Sequence, residues 1–146
     1  MRIPLIAGNW KMYKTVSEAV KYIKEFRELV KGIEDVEIVV APAFTAIYGA
    51  ADAARNSNVA IAAQDLYWER EGAFTGEVSA PMLRDAGAEL VIIGHSERRT
   101  LFGETDATVN RKIHAAYAAS RENLDAGQMG RKHGRGNGGA AGAALG

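Results

Sequence analysis

An α/β fold built on parallel strands is what this sequence predicts, and three observations predict it. Short apolar, β-branched runs alternate four times with stretches of helical spacing over the first 120 residues. The runs are nearly continuous in apolar character, as strands covered on both faces should be. Each is separated from the next by enough chain for a crossover helix, which makes successive strands parallel and the connections right-handed. Two architectures satisfy this pattern, an open doubly wound sheet and the wall of a barrel. In both, chemistry sits at the C-terminal ends of the strands.

The elements follow in order. Residues 3–7 form the first strand. Thr15 with Glu18 three positions later reads as a capping box. It opens a helix over 17–31, where Val20, Ile23, Phe26, Leu29 and Val30 make an apolar stripe and Gly32 stops the turn. Residues 36–41 are the second strand, followed by an alanine-rich helix over 45–55. The third strand is 59–63. A short helix over 79–86 takes Ser79 as its cap and Pro81 in its first turn. Residues 90–93 form the fourth strand. A short helix can start at Ser96, and a longer one over 106–119 has Thr105 as its cap. The strand ends therefore direct attention to residues 8–11, 42–45, 64–76 and 94–99.

Composition narrows the function. Of the 146 residues, 47% are apolar and 25% charged, as in a soluble globular protein. Eighteen basic and 18 acidic side chains give a net charge of 0, against the basic excess of a dedicated nucleic-acid binder. The absence of cysteine excludes disulfides, thiolate nucleophiles and cysteine-ligated zinc. Histidines 95, 114 and 133 are too scattered for a metal site. No run reaches the roughly 18 apolar residues needed to span a bilayer, and the N-terminus lacks a cleavage pattern, so a cytoplasmic chain is expected. After Ser120 the texture changes. Residues 121–146 hold 8 of the 16 glycines and no Val, Ile, Phe, Tyr or Trp. That segment offers no buried parallel strand and too little apolar surface to offset its ordering entropy, so it is expected to be disordered. Its RKHGR cluster reads as part of a solvated tail.

Four groups could carry chemistry. Lys11 and Asn9 stand just past the first strand and could orient an anionic substrate, although a lysine there is also an ordinary surface residue. His95 is delivered to the rim by the fourth strand. The helix starting behind it would aim N–H groups and a positive dipole at the imidazole, favouring a neutral ring that donates a hydrogen bond. Equally, the histidine could simply cap that helix. Glu97 could serve as a general base or pair with Lys11, Arg98 or Arg99. The loop over 65–77 carries Tyr67, Trp68 and Phe74, with Gly72 and Gly76 near its tip, which reads either as a partner surface or as a loop folded on its own domain.

Three stretches, AGNWKM after the first strand, AAQDLYWEREGAFTGEVSAPML across the third unit and VIIGHSERRTLFGETD after the fourth, together resemble the triosephosphate isomerase family, from about residue 3 to 119. The resemblance implies an eight-stranded (β/α) TIM barrel, cytoplasmic and homodimeric, needing no cofactor and no metal. It implies interconversion of dihydroxyacetone phosphate and D-glyceraldehyde 3-phosphate through an enediolate, in glycolysis and gluconeogenesis. Asn9 and Lys11 match substrate-binding positions, His95 the electrophile that polarises the carbonyl, and Glu97 a residue supporting both. Triosephosphate isomerase is itself the standard example of a neutral histidine electrophile at a helix N-terminus. Gly72, Ala73, Phe74, Thr75, Gly76 and Glu77 match the dimer loop, with Thr75 at the tip.

The resemblance covers residues 1–120, the first four of eight βα units. Residues 121–146 match none of the later units and are expected as a disordered or frame-shifted tail. The family's general-base glutamate, on the sixth strand, and its glycine-rich phosphate turns have no counterpart here. This chain alone is therefore expected to lack turnover. The alternative is a non-catalytic half-barrel that self-associates or serves as a binding module.

Overall fold

The computed structural model describes residues 3–126 and 142–144. Four βα units follow one another: β1 (Leu5–Asn9), α1 (Val16–Leu29), β2 (Glu37–Ala41), α2 (Ile47–Ala54), β3 (Val59–Ala63), α3 (Ala80–Asp85), β4 (Leu90–Ile92), α4 (Ser96–Phe102) and α5 (Asp106–Ala126). A fifth strand, β5 (Gly142–Ala144), closes the sequence of elements. The sheet order is β1-β2-β3-β4-β5, with the first four strands parallel. This order decides between the two architectures. A doubly wound sheet reverses direction at a switch point, whereas a barrel wall adds each strand beside the last.

Alternation along the strands sorts the core into two faces. Ile38, Val40, Val59, Ile61, Ala63, Val91 and Ile93 pack against the helical layer with Ile23, Ile47, Leu83 and Ala116. Val39, Ala41, Ala60 and Ala62, with Leu90 and Ile92, form a second cluster on the opposite face. Small alanines predominate there, as suits the inner surface of a curved wall.

The helix starts follow their caps. Glu18 Oε2 accepts from the Thr15 N–H at 2.7 Å and from the Thr15 hydroxyl at 2.8 Å, completing the box at the head of α1. Ser79 is the N-cap of α3, with proline in the first turn. Thr105 and Thr108 exchange hydrogen bonds at the head of α5. The Thr15 bonds hold the Glu18 carboxyl below its ordinary value. A depressed acid stabilises the fold above its unfolded value and loses that contribution as pH falls through the folded one. Glu18→Gln is thus expected to lower the urea midpoint above about pH 4.5, the ordinary value for Glu. The difference from the parent should shrink as pH falls below that. Denaturation series at several pH values check this, and a pH-independent difference would refute it.

Three expectations need correction. The first strand runs over Leu5–Asn9, two residues later than its apolar run. Backbone pairing of Gly8 with Val40 and Asn9 with Ala41 extends it regardless of side-chain type. Nor is it covered on both faces: Leu5 is 49% and Ile6 61% exposed. Among the described residues β1 has β2 as its one strand neighbour, so it is an edge and not an interior strand there. Last, residues 121–146 are not uniformly without structure. Arg121–Ala126 continue α5, consistent with the helix-forming Arg, Glu, Leu and Ala in RENLDA. β5 pairs antiparallel with β4, Leu90 opposite Ala144 and Ile92 opposite Gly142. The rest of the expected tail, RKHGR included, lies outside the described residues. No described helix is long and apolar enough to cross a membrane.

Candidate functional site at the strand ends

The strand ends bring Asn9, Lys11, His95 and Glu97 together. β1 delivers the first two and the β4–α4 turn the others. Gly94 makes that turn possible. Its φ of +71° is left-handed, and a Cβ there would meet Val109 side-chain carbons at 3.1 and 3.2 Å. A glycine accepts both conditions at no steric cost.

His95 is the N-cap of α4. Its Nδ1 accepts the Glu97 N–H at 3.2 Å. The capping reading of this residue is thus realised. With Nδ1 engaged as an acceptor, the neutral ring carries its proton on Nε2. The imidazole side chain is 27% exposed, enough for a small molecule to reach it.

Glu97 resolves toward Lys11. Lys11 Nζ donates to Glu97 Oε1 at 2.5 Å, and Glu97 Oε2 lies 3.7 Å from His95 Nδ1. Arg98 and Arg99 go elsewhere, Arg99 to Asp106 and the Gly94 carbonyl. The hydrogen bond to Glu97, seconded by that carboxylate's charge, raises the Lys11 ammonium above its ordinary value. The same bond holds Glu97 below the usual carboxylate range. Lys11 is thereby fixed as a cation and Glu97 as an anion.

The backbone of Lys11 is itself unusual. It has φ +54°, a left-handed conformation that non-glycine residues seldom adopt. Such a conformation costs about 1–3 kcal/mol and persists only where surrounding contacts impose it. Two contacts do so. The Lys11 N–H donates to Asn9 Oδ1 at 2.9 Å. Its carbonyl accepts from Gln64 Nε2 at 2.8 Å.

Sequence reasoning missed a second cluster behind the site. Lys112 Nζ lies 2.7 Å from Asp65 Oδ1 and 3.0 Å from Glu104 Oε1, and Arg98 Nε lies 2.9 Å from Asp65 Oδ2 and 3.2 Å from Glu104 Oε2. Asp65 is 3% and Lys112 5% exposed. Two cations and two anions cancel, as buried charges must. Burial pushes the Asp65 carboxyl up, against the opposing pull of Lys112 and Arg98. The square ties α4 to the end of β3 and to α5. No sequence motif announces it, since its members lie up to 47 residues apart.

The loop over 65–77 takes the second of its expected characters. Tyr67 stacks near Trp68 at 4.2 Å and Phe74 at 4.8 Å, and Arg111 lies over Trp68 at 5.3 Å. Arg70 pairs with Glu122 at 2.6 Å. These contacts fold the loop onto its own chain. Gly72, Ala73, Phe74, Thr75, Gly76 and Glu77 nevertheless remain exposed at its tip. A cleft of about 300 Å³ lined by Tyr48, Asp52, Arg55 and Gly87 lies at the opposite, N-terminal ends of the strands and shares no residue with this site. Among the described residues no cluster of His, Asp and Glu could hold a metal ion.

Comparison with known proteins gives a consistent result. The family model described as Triosephosphate isomerase matches residues 4–124. Triosephosphate isomerase of Trichlorobacter lovleyi is 62% identical over 119 residues, covering 82% of this chain and 47% of its own. That of Pelobacter propionicus is 59% identical over 118 residues, with 81% and 47% covered. A crystal structure of triosephosphate isomerase from Bartonella henselae superposes with a TM-score of 0.75 at 38% identity, over 80% of this chain and 48% of that one. The chain spans about half the length of the curated relatives it matches.

Proposed function

Because this chain belongs to the triosephosphate isomerase family and carries part of its TIM-barrel wall, we propose that it supplies the electrophilic half of a site interconverting dihydroxyacetone phosphate and D-glyceraldehyde 3-phosphate in glycolysis and gluconeogenesis. The observation that carries this reading is the Lys11–Glu97–His95 cluster, which joins two strand ends 86 residues apart. His95 Nε2–H donates to the substrate carbonyl and draws electron density toward oxygen. As the α-proton leaves, the same donor meets the growing enediolate charge, and proton exchange through Nε2 interconverts the two enediol oxygens. Lys11 supplies a fixed positive charge for the phosphorylated, anionic substrate, and Asn9 orients it. Glu97 holds Lys11 in place. No cofactor is required by this chemistry, which moves protons alone. We place the protein in the cytoplasm, acting as a homodimer through the 65–77 loop with Thr75 at its tip.

The proton on carbon needs a base. Glu97 is committed to Lys11, and the hydrogen bond that lowers its proton affinity makes it a weak one. Loss of a positioned general base costs roughly 10²–10⁴-fold. Residues 1–146 alone are therefore expected to give no isomerase rate above background in a coupled assay. Mixing with the C-terminal half of the Trichlorobacter lovleyi relative is expected to restore turnover. Full turnover by this chain alone would overturn the assignment of Glu97, and no turnover in the mixture would overturn the proposed site. Sedimentation of the mixture is expected at the mass of two barrels. The exposed Leu5 and Ile6 on the β1 edge favour a second reading, a non-catalytic half-barrel that self-associates. Stable homo-oligomers of this chain that refuse the complementary half would favour that reading.

A further inference from the structure

We propose that Gln64 is a positioning residue for Lys11, setting the backbone from which the cation reaches Glu97. Gln64 follows β3 directly and is half-buried. Its Nε2 donates to the Lys11 carbonyl at 2.8 Å and to the Ala41 carbonyl at 2.9 Å. Both partners are acceptors, so the amide has one usable orientation and spends both N–H groups. The bonds lock the loop after β1 to the end of β2. Ala41 O also takes the Trp10 N–H at 3.0 Å, so the residue just before Lys11 is anchored at the same point.

The backbone of Lys11 is thus gripped at both ends, by Asn9 at its N–H and by Gln64 at its carbonyl. Its left-handed φ is what this grip maintains. Without Gln64, the carbonyl is released and the residue can relax to an extended or right-handed conformation. A relaxed backbone redirects the side chain, and the contact of Nζ with Glu97 is lost. An ionised glutamate at this position would face two carbonyl oxygens, and a protonated one could donate to only one of them.

The functional weight of this inference rests on the reading of Lys11 as the cation of the site. Its test reads the Lys11–Glu97 contact itself, so the two can fail separately. Carbon-13 NMR titration of the glutamate carboxyls in the 146-residue chain supplies the measurement. Lys11→Met sets the benchmark: Glu97 should titrate higher than in the parent. Gln64→Met is expected to move Glu97 most of the way to that benchmark, while Glu18, at the head of α1, titrates as in the parent. General destabilisation would not shift one carboxyl and spare the other. Gln64→Asn keeps the amide but is one methylene shorter, and should move Glu97 part of the way. Parental titration of Glu97 in either Gln64 variant, with the Lys11→Met shift intact, overturns the proposal. An unshifted Glu97 in Lys11→Met overturns it too, by showing no contact to position.

Discussion

Lys112→Met is expected to destabilise the fold by about 3–5 kcal/mol, because removing one partner from a buried ionic cluster leaves the others uncompensated. Asp65 and Glu104 would keep Arg98 alone, with two buried carboxylates sharing one guanidinium. Domains of this size have roughly 5–15 kcal/mol of total stability, so the loss is a large fraction of the whole. Urea unfolding followed by circular dichroism measures it. The contrast variant is Arg70→Ala. Its ion pair with Glu122 is as short, 2.6 Å against 2.7 Å, but both side chains are more than half exposed. Water screens such a pair, and the midpoint is expected to stay with the parent's. A Lys112→Met variant with parental stability would mean that the square does not form in solution.

The second large effect concerns His95. In the mixture with the complementary half, His95→Asn is expected to lower kcat by roughly 10²–10⁴-fold, the usual range for a positioned proton donor. Asparagine is among the best N-caps and can still accept the Glu97 N–H, so α4 should keep its start. It lacks the reach of Nε2. The variant therefore separates the cap from the proposed catalytic role of the histidine. Parental stability with a collapsed kcat identifies Nε2 as the working atom. An unchanged kcat would reduce His95 to a cap.

Much of the architecture was legible in the sequence because backbone and side-chain signals agreed there. The Thr15–Glu18 box, the Ser79–Pro81 start and the β-branched strands each announce a local preference that the fold obeys. The strand-end rule also brought Asn9, Lys11, His95 and Glu97 onto one rim. What stayed hidden depends on partners distant in sequence. Asp65, Glu104 and Lys112 each look like surface charges until β3, the α4–α5 turn and α5 converge. Gln64 looks like any polar residue after a strand until its two carbonyl partners are in place. β5 escaped because Gly-Ala-Ala has no alternation to read, and its pairing uses the backbone alone. The exposure of β1 escaped for the opposite reason. Its sequence is that of an interior strand, and burial is a property of its neighbours.

The unreversed strand order has a bearing on how the chain is made. Each parallel strand pairs with the one synthesised just before it, 21 to 32 residues upstream. As the ribosome delivers this chain, each of β2, β3 and β4 finds its upstream parallel partner already made, so the wall can lengthen as it emerges. The first strand is the exception. Among the described residues its outer edge receives nothing from the three units that follow, and Leu5 and Ile6 meet solvent from the moment they leave the tunnel. The same order that lets the wall grow smoothly thus leaves its oldest strand as the longest-exposed surface, and the one most in need of chaperone attention.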